Sequence, residues 1–190
     1  MAALLARVDA RLKSGPAEAD LVTATIAGDK EAFSELVRRY DRQVYHLAYR
    51  TLKDAEEARD VVQETFLRAF RSLRTFRPER KFSTWIFSIA YHACCDRLGR
   101  AKRFSSDELR EYADAAPGPE HRVVALDEAQ RLRAAIARLP EKYRTVITLY
   151  HLQGRQYEEI AQVLGLPMGT VKTHLFRAKE HLRRLLLETQ

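Results

Sequence analysis

The stretch QYEEIAQVLGLPMGTVKTHLFRAK, residues 156–179, has the pattern of two helices joined by a tight turn. The apolar positions of the first segment end at Gly165, which tolerates a positive φ, and Leu166 and Pro167 follow it. A short helix, a glycine turn and a longer helix in this order predict a helix-turn-helix motif. In such a motif the second helix lies in the major groove, so the stretch indicates DNA binding.

The second helix divides its side chains between a core face and an outward face. At about 100° per residue, one face is apolar and is predicted to pack on the core: Val171, Leu175, Ala178, Leu182 and Leu185. The residues predicted to contact DNA lie outside or beside that face: Thr170, Lys172, Thr173, His174, Phe176, Arg177 and Lys179. Arg177 suits guanine edges, Phe176 suits a thymine methyl or a sugar, and Thr170 suits a phosphate. The alternative is a helical core on which Phe176 is simply exposed to solvent.

The composition favours an all-α protein with two small helical domains. The 190 residues include only seven glycines and six prolines, and strand-like alternation of useful length is absent. We expect an N-terminal extension at residues 1–19, a helical domain at 20–100, a flexible linker at 101–122 and a second helical domain at 123–190. No segment approaches the roughly 18 apolar residues of a membrane helix, and the N-terminus makes a poor signal peptide. We therefore expect a cytoplasmic protein with no membrane insertion of its own.

Within the first domain, two helices are predicted after residue 53. One is expected from about Asp54, with this buried stripe: Ala58, Val62, Phe66, Ala69, Phe70 and Leu73. The next is expected to begin near Ser83 or Thr84, because either hydroxyl is placed to cap it.

Charge is distributed unevenly along the chain. The net charge is +7, and residues 65–103 hold ten basic residues against two acidic ones. A basic block of this kind suits a polyanion, although a solvated basic face is the alternative. Cys94 and Cys95, even with His92, leave a metal shell incomplete. The sequence also has no phosphate-binding glycine loop and no nucleophile–base pair, so we expect no metal, no cofactor and no enzymatic activity.

Two longer stretches resemble the extracytoplasmic-function (ECF) sigma factors of bacterial RNA polymerase. Residues 139–183, from LPEKYRTVITLYHL to FRAKEHLR, are similar to the family's region 4, which recognises the −35 element. Residues 54–100, which include DVVQETF and KFSTWIFSIAYHACCDRLGR, are similar to region 2, which binds the polymerase clamp and melts the −10 element. The resemblance spans residues 20–187 and implies an alternative sigma factor. The implied partners are core RNA polymerase, through its β′ clamp and β flap, promoter DNA and an anti-sigma factor.

The resemblance also assigns roles to individual residues. Polymerase contacts are expected from the polar residues of DVVQETFLR, namely Asp60, Gln63, Glu64 and Arg68, whereas Phe66 is expected in the core. The −10 contacts are expected from a loop that receives a flipped base and from the helix after it: Phe76, Arg77, Arg80, Lys81, Phe82, Trp85 and His92. Trp85 can equally be a core residue, and His92 stands where the family often has Asn. The acidic segment 107–120 resembles the one that threads towards the RNA-exit channel.

Two other classes of protein share part of this pattern. A response-regulator-type transcription factor also carries a TVKTHL-like recognition helix, but it needs a receiver domain of alternating strands and helices. Residues 20–100 predict helices only. An RNA-binding protein would fit the basic block alone, yet single-strand RNA modules usually present stacking sheets. The sigma-factor interpretation accounts for both halves of the chain.

Overall fold

The computed structural model describes residues 17–77, 80–104 and 128–187. All regular structure in these ranges is helical, which confirms the predicted all-α class. The predicted linker, with its acidic segment 107–120, falls almost entirely outside the described residues, as does nearly all of the N-terminal extension. The helices are α1 (Glu18–Ile26), α2 (Lys30–Leu52), α3 (Ala55–Ser72), α4 (Phe82–Phe104), α5 (Glu128–Arg138), α6 (Glu141–Ile147), α7 (Tyr157–Leu164) and α8 (Met168–Leu187).

The chain separates into two compact units, called here the N-terminal and the C-terminal domain. The division falls between Ala93 and Cys94, inside α4, and residues 50–53 group with the second unit. A 3₁₀ turn, Leu73–Thr75, extends α3, and a π-helical turn, Thr148–Leu152, extends α6. The boundaries proposed from the sequence, at residues 100 and 123, stay predictions.

The core of the N-terminal domain is built from α2, α3 and α4. Its fully buried side chains include Leu36, Val44, Leu47, Val61, Phe82, Ile86 and Phe87. Of the stripe predicted for α3, Ala58, Phe66, Ala69 and Leu73 are buried as expected. The prediction is wrong for Val62, which is only half-buried, and for Phe70, which is 50% exposed, while Val61 and Thr65 are buried instead. Apolar residues occupy two neighbouring rows of this helix, and packing on α2 and α4 selects the row that holds Ala58, Val61, Thr65 and Ala69.

The helix starts in the N-terminal domain use carboxylates as caps. Asp54 accepts hydrogen bonds from the amides of Glu56 and Glu57 at 2.8 and 3.0 Å, which satisfies the first turn of α3. At the start of α4, the amide of Phe82 donates to Glu18 of α1 at 2.9 Å.

The predicted capping of α4 by Ser83 or Thr84 is therefore wrong. Both side chains are buried inside its first turn, and the acceptor for the Phe82 amide comes from 64 residues away in the sequence. The Tyr40 hydroxyl of α2 donates to the same Glu18 carboxylate. One side chain thus joins α1, α2 and α4.

The C-terminal domain packs α5, α6 and the helix-turn-helix around a second core. Fully buried residues include Leu139, Val146, Ile147, Leu149, Ile160, Val163, Val171 and Ala178. The turn between α7 and α8 is as expected: Gly165 has φ 64°, and the Leu166 amide donates to the Ala161 carbonyl at 3.0 Å. The carbonyl of Pro167 accepts from the amides of Thr170 and Val171, which starts α8 without a side-chain cap.

Candidate nucleic-acid interface

The outward face of α8 carries the polar and aromatic side chains that the sequence assigned to it. Val171, Leu175 and Ala178 are buried, so the opposite face of the helix is open to solvent. Phe176 is 67% exposed on that face. Thr173 and Arg177 are exposed next to it, and the Thr173 hydroxyl donates to the Gly169 carbonyl at 2.9 Å, leaving its lone pairs free to accept. Leu182 and Leu185, predicted in the core, are half-buried.

His174 lies on one flank of this face, and its environment keeps it neutral. Its ring meets the buried ring of Tyr143 edge-on, with centroids 5.7 Å apart. Burial lowers the pKa of His174, and the positive charges of Lys142 and Arg177 lower it further. Its Nδ1 is buried with no hydrogen-bond partner. At neutral pH, His174 therefore offers DNA a packing surface and one ring nitrogen but no charge.

Lys172 and Lys179 lie on the other flank, seven residues apart and on the same side of α8. Both are exposed, and each ammonium stands over a tyrosine ring: Lys172 over Tyr157 at 6.0 Å and Lys179 over Tyr150 at 5.7 Å. Phe176 lies between the two lysines along the helix. The recognition helix thus carries an uncharged His174 on one flank and two lysines on the other.

In the N-terminal domain, the predicted −10 residues surround a cavity of about 250 Å³ at the start of α4. Its lining residues are Thr75, Phe76, Arg77, Arg80 and Trp85. The rings of Phe76 and Trp85 are tilted at 51° with centroids 5.1 Å apart. The arginines supply charge beside these aromatic faces, a combination that suits a splayed base and its phosphates.

The structure corrects the role predicted for Phe82. Its ring is 1% exposed and contacts Phe76 and Trp85 from below, with centroids 5.9 and 5.6 Å away, so DNA has no access to it in this fold. Trp85 is half-buried, which reconciles the two roles left open for it: part of the ring packs on Phe82 and part lines the cavity. Phe76 is 8% exposed and forms the floor of the cavity.

Besides Phe82, two predicted −10 residues lie outside the cavity lining, namely Lys81 and His92. Lys81 is exposed just before α4. His92 is exposed two turns after Trp85 and on the same side of α4, and its Nδ1–H donates to the Ser88 carbonyl at 2.7 Å. That bond leaves Nε2 as the acceptor, so His92 presents an acceptor where an Asn would offer both a donor and an acceptor.

The predicted polymerase-binding residues share one side of α3. Asp60 and Gln63 are exposed, and Glu64 forms an ion pair with Arg68 one turn later. Phe66 is 7% exposed and belongs to the core, as expected. The sequence analysis missed two further members of this face, Leu67 and Phe70, because both were read as ordinary apolar positions or as core.

Leu67 and Phe70 are 56% and 50% exposed. Leu67 lies seven residues after Asp60 and four after Gln63, and Phe70 lies seven after Gln63, so these residues share one side of the helix. Phe70 is supported from behind by Phe33, whose ring centroid is 5.0 Å away. An apolar strip edged by Asp60, Gln63 and Glu64 is typical of a protein-binding surface.

Comparison with known proteins assigns both halves of the chain to one family. The family model of Sigma-70 region 2 matches residues 36–104, and that of Sigma-70 region 4 matches residues 129–182. The ECF RNA polymerase sigma factor SigW of Bacillus subtilis is 38% identical over 170 residues, covering 84% of this chain and 91% of SigW. The chain belongs to the ECF sigma factors. The ECF sigma factor SigM of Mycobacterium tuberculosis is 36% identical over 169 residues, covering 89% of this chain and 84% of SigM.

Two solved structures share the fold of this one. The structure of CnrH in complex with the cytosolic domain of CnrY aligns with a TM-score of 0.69 and 28% identity, covering 92% of this chain and 100% of that chain. The sigma factor RpoE of Bartonella quintana, in complex with the anti-sigma factor NepR, has the same fold, with a TM-score of 0.68 and 23% identity over 81% of this chain.

Two properties of the described residues bear on other kinds of site. No helix in residues 17–77, 80–104 and 128–187 is long and apolar enough to cross a membrane. Within the same residues, no group of three or more His, Cys, Asp or Glu is arranged to hold a metal ion.

Proposed function

We propose that this sigma factor directs core RNA polymerase to promoters by holding two promoter elements with its two domains, and that it performs no chemical step itself. The observation that carries this proposal is the outward face of α8, where a 67%-exposed Phe176 stands among Thr173, Arg177 and Lys172 on the second helix of a helix-turn-helix. This face is exposed to solvent, and its chemistry suits base edges and phosphates.

At the −35 element, α8 enters the major groove with Thr173, Phe176 and Arg177 towards the bases. Arg177 has the reach for a bidentate contact to guanine, and Phe176 offers an apolar surface to a thymine methyl. Thr170 lies in the first turn, where its hydroxyl and the free backbone amides favour a phosphate. The lysines on the flank add contacts that do not depend on sequence.

At the −10 element, the cavity at the start of α4 accepts one unstacked base. Extracting a base from the duplex costs a few kcal/mol, and stacking on the Phe76 and Trp85 rings compensates about 1–3 kcal/mol of it. Arg77 and Arg80 neutralise the phosphates on either side of that base. Lys81 and His92 extend the same contact surface beyond the cavity.

The α3 strip, defined as Asp60, Gln63, Glu64, Leu67 and Phe70, is the surface that we assign to the β′ clamp of core polymerase. Its exposed apolar residues would be buried on binding, and the polar residues at its edge would set the register of the contact. The C-terminal domain meets the β flap. The free protein binds promoter DNA weakly, because only polymerase holds the two domains at the spacing of the two elements.

We assign the chain to the cytoplasm, where RNA polymerase acts, and to control by an anti-sigma factor. Family membership supports both assignments, and the sigma factor RpoE of Bartonella quintana, which has the same fold, has been solved with the anti-sigma factor NepR bound. An anti-sigma factor would act by covering the α3 strip or the outward face of α8, since each is an exposed surface that the active complex needs.

Run-off transcription tests the proposal directly. Core polymerase is mixed with the purified chain and a library of genomic fragments from its host, and transcripts are mapped from their 5′ ends. We expect starts that core polymerase alone does not produce, with two shared sequence elements upstream. An absence of new starts, with a known sigma factor active on its own promoter in the same assay, would reject the proposed function.

A further inference from the structure

A stacked pair of tyrosines lies beside the recognition helix and was not assigned any role by the sequence. Tyr150, in the π-helical turn after α6, and Tyr157, at the start of α7, are nearly parallel: their planes differ by 8° and their centroids are 5.1 Å apart. Both rings are half-buried. The pair is therefore made by two elements that flank α8 and precede it in the chain.

Each ring of this pair faces one lysine of α8. The Lys172 ammonium is 6.0 Å from the Tyr157 centroid, and the Lys179 ammonium is 5.7 Å from the Tyr150 centroid. These distances lie within the range of cation–π attraction. Since the lysines are two helical turns apart, about 10 Å along the axis, the two stacked rings match two separate positions on one side of α8.

We propose that Tyr150 and Tyr157 are positioning residues, which hold the ammonium groups of Lys172 and Lys179 at the edge of the major groove, where both contact phosphates of the −35 duplex. This inference rests on the proposed function. The lysines lie to one side of the outward face, whereas Thr173 and Phe176 lie at its centre. When the centre of a recognition helix faces the bases, its flanks face the sugar–phosphate walls of the groove.

The benefit of the ring pair is preorganisation. A free lysine side chain loses several rotamers when it binds a phosphate, and a ring that already holds the ammonium reduces that entropic cost. The Lys179 ammonium faces a neutral phenol ring rather than a phenolate. The hydrogen bond with the Tyr157 side chain raises the pKa of Tyr150, so its hydroxyl stays protonated. The neighbouring His151 adds no charge, since burial and the Lys179 ammonium lower its pKa.

The opposite flank of α8 also combines an aromatic ring with positive charge. There Tyr143 packs against His174 and His181, and the Lys142 ammonium is 5.1 Å from its ring centroid, but that lysine belongs to α6 rather than to the recognition helix. The Tyr150–Tyr157 pair differs in that it faces two lysines of α8 itself. Removing Lys179 should reduce the slope of log affinity against log salt by about 0.9, the value for one lost phosphate contact.

The test measures promoter affinity of holoenzyme assembled from core polymerase and the full chain. The probe is a fragment on which wild-type holoenzyme starts a transcript, together with the same fragment carrying a scrambled −35 element. Tyr150→Leu removes the ring under Lys179, and Tyr150→Phe keeps the ring without its hydroxyl. Tyr49→Leu is the matched control, because Tyr45 and Tyr49 form a similar stack in the N-terminal domain, at 6.0 Å and 9°.

We expect Tyr150→Leu to weaken binding about two- to five-fold on both fragments, because about 0.5–1 kcal/mol of ordering cost for the Lys179 side chain is then paid on binding. Tyr150→Phe and Tyr49→Leu should leave affinity unchanged. In a Lys179→Gln background, Tyr150→Leu should have no further effect, because the ring acts through the ammonium. Lys172→Gln and Tyr157→Leu give a second, independent cycle if Tyr150→Leu lowers the melting temperature below that of the assay.

Additive losses from Tyr150→Leu and Lys179→Gln would overturn the inference, since the ring would then act without the lysine. A loss from Tyr150→Phe as large as that from Tyr150→Leu would overturn it too, because the hydroxyl would be responsible. An unchanged salt slope in Lys179→Gln would show that this lysine touches no phosphate. If wild-type holoenzyme binds no promoter at all, it is the proposed function that fails.

Discussion

Replacing Glu18 with alanine tests how the N-terminal domain is held together. Its carboxylate accepts hydrogen bonds from the Phe82 amide, at 2.9 Å, and from the Tyr40 hydroxyl. Losing a helix cap costs about 1 kcal/mol. Losing the hydrogen bond from the Tyr40 hydroxyl to this carboxylate costs a further 1–3 kcal/mol or so. Glu18→Ala should therefore lower the free energy of unfolding of this domain by about 2–4 kcal/mol.

The fluorescence of Trp85 measures this loss in the N-terminal domain alone. Trp85 is the only tryptophan of the sequence, and its ring centroid lies 5.6 Å from that of Phe82, next to the capped end of α4. In a urea titration with a slope of about 2 kcal/mol/M, the midpoint should fall by about 1–2 M. Glu18→Gln keeps one acceptor oxygen and should give an intermediate midpoint.

Asp54→Ala supplies the matched control, because Asp54 caps α3 from an exposed position and ties no other helix. Its removal should cost about 1 kcal/mol. If Glu18→Ala shifted the midpoint no more than Asp54→Ala, Glu18 would act only as a helix cap. The claim that its carboxylate stabilises the packing of α1, α2 and α4 would then be wrong. A loss of the folded fluorescence signal in Glu18→Ala even without urea agrees with the upper end of the expected range.

Four further perturbations address the sites. Arg177→Ala should cost about 1–3 kcal/mol of promoter affinity, concentrated at one −35 position; a uniform loss over all sequences, in competition binding, would reduce Arg177 to a phosphate contact. Arg80→Gln should slow open-complex formation, followed with permanganate, more than it weakens duplex binding, and equal losses would remove it from the melting step. Leu67→Ser should weaken binding to core polymerase in a pull-down titration, whereas Ile26→Ser, at a similarly exposed apolar position on α1, should not. Because the pKa of His174 is lowered in the folded state, the unfolded chain binds more protons below about pH 6.5, so stability should fall as the pH drops through that value; circular dichroism melts should show a smaller fall in His174→Gln.

Local patterns predicted most of the fold. The start of α8, the positive φ of Gly165 and the burial of Val171 and Leu175 follow from turn chemistry and from a 3.6-residue period. The exposure of Phe176 follows from the same period. These features depend on residues within one or two helical turns of each other, so no knowledge of distant contacts is needed to place them.

The wrong predictions concern residues for which the local sequence agrees equally well with a buried and with an exposed position. On α3 the adjacent residues Val61 and Val62 define two apolar rows, and only packing decides which one is buried. Phe82 stands in a basic, aromatic loop that suits DNA, yet its ring closes the core beneath Phe76 and Trp85. Phe70 was predicted in the buried stripe, and no role was predicted for Leu67. Their exposure is known only once the opposite face of α3 is seen to be covered.

The sequence by itself determined the helices, the helix-turn-helix, the family resemblance and the outward chemistry of α8. Each of these depends on local sequence patterns, above all on residue spacings of three, four or seven. Tertiary structure alone decided that Glu18 caps a helix 64 residues away, which row of α3 faces the core, and that Tyr150 and Tyr157 stack beneath Lys179 and Lys172. The physical reason is that a cap or a ring contact between separate helices depends on how those helices pack. That packing is fixed by the whole core of each domain rather than by any one segment.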